Sequence, residues 1–150
     1  MGNGLHRAFN GLFGSKIYDS EKALGIIKDY VKKNDVIIKN RKHAQENHLY
    51  NTEYYQENQI NEKSAIVLPG NLQEQINICN KILKDNIDTA KIHKGEDNFN
   101  GQIEINTGNE YYYYYDDKTK QFYKTNTFIV YTNTKDNFHM TGFGGDQVDL

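Results

Sequence analysis

Apolar side chains recur at two different periods along the chain, and the change of period divides it. Asp19 or Ser20 is an acceptable helix N-cap. After it, Ala23, Leu24, Ile27, Tyr30 and Val31 share one helical face, which predicts a helix to about residue 33. Lys32 and Lys33 suit its C-terminal end, where the helix dipole favours cations. Pro69-Gly70 then makes a turn and Asn71 a cap, and Leu72, Ile76, Cys79 and Leu83 follow at helical spacing, predicting a second helix over 72–84. Between the two, Val36-Ile37-Ile38 leads into residues 39–44, expected to begin a further helix. Residues 50–64 have no clean period and are expected to be loop or irregular helix.

Beyond the second helix the period falls to 2. Strands are expected over 89–93, 102–105, 111–115, 121–123, 127–131 and 138–141, separated by turns at Gly108-Asn109, at 116–119 and at 133–137. Helices followed by a run of short antiparallel strands predict an α+β fold, with the N-terminal helices packed on one face of a twisted sheet and the other face available. In the five-tyrosine run, Tyr111, Tyr113 and Tyr115 fall on one face of their strand and Tyr112 and Tyr114 on the other. Residues 1–18, with glycines among Leu5, Phe9, Leu12 and Phe13, are expected to form a flexible or loosely docked arm ahead of a single domain over 19–150.

Composition supports a folded chain, since 37% hydrophobic residues with 13% aromatics exceed what disordered segments carry. No run of about 18 apolar residues occurs and residues 1–4 lack a secretory pattern, so no membrane span is expected. Cys79 is the sole cysteine and reads as a small buried hydrophobe. The net charge of −2 conceals an asymmetry: residues 1–50 hold nine Lys/Arg against five Asp/Glu, and residues 51–150 nine against fifteen. Broad nonspecific affinity for phosphate backbones is therefore unexpected, and the basic stretch Lys39, Arg41, Lys42 must act locally.

Histidines stand at 6, 43, 48, 93 and 139. His43 and His48 are five apart, which misses the spacing of paired helical ligands, and no metal site or cofactor is expected. No serine lies in a nucleophile elbow and no phosphate-binding glycine loop occurs. His43 sits among Lys39, Arg41 and Lys42, a cationic setting that lowers an imidazole pKa and attracts phosphate. Cleavage of RNA needs such groups: a base for the ribose 2′-hydroxyl, an acid for the leaving 5′-oxygen and donors around the phosphorane. A second candidate is His139-Met140-Thr141-Gly142-Phe143, where one strand face carries an imidazole and a hydroxyl, followed by an aromatic ring.

Lys42-His43-Ala44, the helix at 72–84, the hairpin at 115–119 and His139-Met140-Thr141-Gly142-Phe143 together resemble the nuclease domain of colicin D and related toxin tips, over about residues 39–143. The resemblance implies a metal-independent ribonuclease cutting tRNA, with His43 as general acid/base, Lys42 at the phosphate and Thr141 in place of the family's serine. Phe143 would replace its tryptophan, and Lys39 or Arg41 would stand in for a family lysine that falls on Asn40; His139 has no counterpart in the family motif and is either a second proton carrier or simply exposed. It also implies a cognate immunity protein, and delivery from a secreted or surface-bound bacterial protein into a target-cell cytoplasm. The competing expectation is a noncatalytic interaction module, such as an immunity or adaptor protein, suggested by the acidic balance and the tyrosine-rich sheet.

Overall fold

The computed structural model describes residues 19–58, 63–94, 99–132 and 137–150. The expected N-terminal arm and residues 133–136 of the expected turn lie outside them. Helix α1 spans Ser20–Lys33; the Asp19 carboxylate accepts from Lys22 N at 2.8 Å and caps it. A 3-10 turn at Glu46–His48 and the short helix α2, Glu53–Asn58, precede strand β1, Ser64–Val67. Helix α3 spans Leu72–Asp85 and opens with a reciprocal capping box between Asn71 and Glu74. The strands β2 (Lys91–Ile92), β3 (Gln102–Asn106), β4 (Tyr112–Asp116), β5 (Gln121–Thr125), β6 (Thr127–Tyr131), β7 (His139–Gly142) and β8 (Asp146–Val148) complete the chain.

The α+β class holds, with one refinement: the strands form two antiparallel sheets, ordered β1-β4-β5-β8 and β2-β3-β6-β7. The chain crosses between them at Asn126, where Thr125 Oγ1 accepts from Thr127 N and donates to Phe143 O at 2.7 Å. The sheets also meet where the Tyr114 ring lies over Gly142. A Cβ there would come within 2.2 Å of Tyr114 Cδ1, so only glycine admits the ring.

One face of the second sheet carries Ile103, Ile105, Phe128, Val130 and Met140. It shares a core with Ala23, Ile27 and Val31 of α1 and Ile76, Cys79, Ile82 and Leu83 of α3. Burial pushes the Cys79 thiol up to about 12, so it packs as a hydrophobe. Strand alternation turns Glu104, Ile129, Tyr131, His139 and Thr141 to the opposite face, with Ile129 opposite Thr141 and Tyr131 opposite His139.

Residues 39–44 do not begin a helix, and the reason lies on both sides of them. Val36 O accepts from Phe138 N at 2.8 Å, and the Asn80 amide holds both Ile37 N and Ile37 O, which keeps the approach extended. Asn40 Oδ1 then accepts from Lys42 N, a local turn that competes with helix. Gln45 is buried, accepts from Met140 N at 2.8 Å and donates to Met140 O at 2.9 Å. Its side-chain amide thus occupies the free edge of β7 as a neighbouring strand would. These two clamped residues carry 36–48 past the end of the second sheet.

Candidate functional site

Three histidine clusters result. In the first, His48 is buried and its Nδ1 donates to Ser64 O at 2.8 Å, leaving Nε2 as the nitrogen with a free lone pair. Its ring stacks on His139 at 5.2 Å between centroids, and His139 stacks on Tyr131 at 4.9 Å. Thr141, two residues along the same face, hydrogen-bonds through its hydroxyl to the Ser64 hydroxyl. Lys63, adjacent to Ser64, is close enough for its charge to act on both imidazoles.

Burial first, then the neighbouring His139, lowers His48 to about 3, against the opposing pull of the Ser64 carbonyl. Burial and then the Lys63 charge lower His139 to about 4, partly offset by a backbone hydrogen bond to Asn137. His139 Nδ1 is buried without a well-formed hydrogen bond among the described residues. Both rings are neutral at pH 7, the state in which an imidazole accepts a proton.

The same shifts predict how stability follows pH. Both folded values lie below the ordinary 6.5, so the stabilising contribution is fully present above about pH 6.5 and is lost as pH falls toward 4 and then 3. At about 1.4 kcal/mol per pKa unit, the two rings should remove at least about 3 kcal/mol between pH 7 and pH 4. Urea midpoints at pH 7, 5.5 and 4 measure this, and a level midpoint would contradict the burial of the pair.

The second cluster shares that sheet face. His93 Nδ1 meets Glu104 Oε1 at 3.2 Å, Lys91 Nζ approaches Glu104 at 3.5 Å, and the Phe143 ring stands edge-on to His93 at 5.0 Å. Phe143 keeps 41% of its surface exposed.

The third cluster contains the histidine singled out by the sequence. His43 adopts φ 54°, in the left-handed region, because the turn after Asn40 carries it there. Its Nδ1 donates to Glu46 Oε1 at 2.9 Å, and its ring stacks on Tyr54 at 4.0 Å with only 9° between planes. His43, Glu46 and Tyr54 line a cleft of about 600 Å³ with Lys39, Asn51, Thr52, Glu53, Glu57, Asn71 and Leu72. An adjoining hollow of about 440 Å³ adds Asn40 and Arg41.

The sequence-predicted residues therefore divide between places. Lys39, Arg41 and His43 share the adjoining clefts, while Lys42 is exposed and lines neither. His139 and Thr141 share a strand face, and Phe143 stands against His93. Among the described residues, the contacts of Thr141 run through Ser64 to His48, and none reaches His43. Sequence reading missed His48, Ser64 and Lys63. His48 carried one usable signal, its place in the same short segment as His43. Comparison of the chain with protein-family models, with curated proteins and with solved structures gives no match.

Proposed function

We propose that the protein is a metal-independent ribonuclease whose reacting groups are His48, His139, Thr141 and Lys63. The observation that carries this reading is the stacked imidazole pair, both rings held neutral, beside a cation and a strand hydroxyl. That set meets the needs of transesterification. One imidazole takes the proton from the ribose 2′-hydroxyl as its oxygen attacks phosphorus. The P–O5′ bond breaks, and the departing 5′-oxygen takes a proton from the other imidazole, which the negative phosphate has charged by raising its pKa. Lys63 and the Thr141 hydroxyl stabilise the phosphorane oxygens. The products are a 2′,3′-cyclic phosphate and a 5′-hydroxyl.

The resemblance to colicin D-like domains supplies tRNA as the substrate class, a cognate immunity protein as partner and bacterial delivery as the setting. In this reading His43 leaves the reacting centre for a substrate-binding role with Lys39 and Arg41. The competing reading, a noncatalytic interaction module, is supported by the first sheet, where Tyr111 is 52% exposed and Tyr113 and Tyr115 are half-buried near Asp116.

Incubating total RNA with the protein, with and without EDTA, separates the two. Discrete tRNA fragments ending in 2′,3′-cyclic phosphate, undiminished by EDTA and absent with Thr141→Val, are the expected result. Intact RNA, together with harmless expression in bacteria lacking any protector, would favour the module. Cleavage only with added magnesium would require a different mechanism.

A further inference from the structure

The cleft beside His43 has a chemistry that the imidazole pair does not use. Lys39, and Arg41 in the adjoining hollow, make no ion pair among the described residues. Glu53 and Glu57 lie one turn apart on α2, both line the cleft, and neither has a partner among the described residues. The His43–Tyr54 stack also lines it, with Asn51 and Asn71 adding amide groups. Cations, a flat aromatic platform and unpaired carboxylates in one concavity suit a ligand with an anionic end, a planar ring and a donor edge. A solvent-filled groove on a protein surface needs none of these together.

We infer that this cleft binds one guanosine nucleotide of the RNA, close to the scissile phosphate. Lys39 and Arg41 take the phosphate, and the base lies against the imidazole–phenol stack. Glu53 or Glu57 accepts the paired N1–H and N2–H donors that guanine alone presents among the four bases, the bidentate match a carboxylate makes best. Adenine and cytosine offer one amino group beside acceptors, and uracil a single N–H. The hydrogen bond to Glu46 holds the His43 ring parallel to Tyr54, so the platform exists before the base arrives.

The inference deepens the ribonuclease reading, because the cleft and the reacting groups share one short segment. Glu46 lines the cleft, Gln45 clamps β7 and His48 stacks on His139. His48 lies five positions after His43, a span of at most roughly 18 Å, within reach of a few nucleotides of one strand.

Mononucleotides have no internucleotide bond to cleave, so they test the cleft independently of catalysis. The 150-residue chain is titrated with 5′-GMP, 5′-AMP, 5′-CMP and 5′-UMP while the ring signals of His43 and Tyr54 are followed by NMR. The expected result is saturable binding with GMP preferred at least about fivefold. Glu53→Gln combined with Glu57→Gln should erase the preference, and Lys39→Gln should weaken all four nucleotides alike. A thermal melt of each variant confirms folding. Equal affinity for the four bases, a preference unchanged in the double variant, or no saturation at millimolar nucleotide would each overturn the inference. GMP binding without RNA cleavage would sink the ribonuclease reading alone, and RNA cleavage without GMP binding would sink the subsite alone.

Discussion

Replacing His139 with alanine should lower the rate of RNA cleavage about 1,000-fold, and His48→Ala by a similar factor, the range over which a positioned proton carrier contributes. The loss should appear in kcat more than in KM, since proton transfer matters in the transition state and not in docking. The pH dependence carries the sharper signature. Two ordinary imidazoles with pKa near 6.5 would give a rate maximum near neutrality. Here the values are lowered to about 3 and about 4, so the fraction of free enzyme with one ring protonated grows as pH falls from 8 toward 5. Cleavage measured as kcat/KM should rise over that interval, until the acid instability of the same pair intervenes. Lys63→Gln should move the His139 limb toward higher pH, because it removes a charge that opposes protonation. A maximum above pH 7 that the variant leaves in place would remove these rings from the chemistry.

The residues that made this cluster visible differ in how far the sequence could reveal them. His139 and Thr141 were accessible because strand alternation alone places i and i+2 on one face. Helices α1 and α3 were equally accessible: their apolar spacing and the caps Asp19 and Asn71 are local signals, and both match within a residue or two. His48 was not accessible. Its burial depends on Ser64 across the fold and its stacking on a strand 91 residues onward. The helix expected over 39–44 failed for the same kind of reason, since Asn80 and Phe138 decide the backbone path there. Strand β1 has only Ala65 and Ile66 as buried apolar residues, too few to show a period, and is held by pairing with the tyrosine strand β4. The division into two sheets has no local mark beyond the tight step at Asn126, because it depends on which strands pair and not on how any one of them alternates.

What joins the helical segment to the last strand is the buried amide of Gln45, and its removal should be felt both in stability and in activity. Gln45→Ala leaves Met140 N–H and Met140 O without their partners in a buried setting, a loss of about 3 kcal/mol. Gln45→Leu restores volume but not the hydrogen bonds, so it should remain about as destabilised. Gln45→Glu keeps the acceptor for Met140 N and loses the donor to Met140 O, placing a carboxylate against a carbonyl, and should be the least stable of the three at pH 7. Chemical denaturation ranks them. The same series should separate the clamp from ordinary packing. If Gln45 sets the register of His48 on His139, then cleavage at a temperature where the leucine variant is still fully folded falls at least about tenfold. A loosened site forfeits much of the advantage of prepositioned groups even when every reacting residue is present. Wild-type cleavage in a folded leucine variant would show that the two imidazoles hold each other without the clamp.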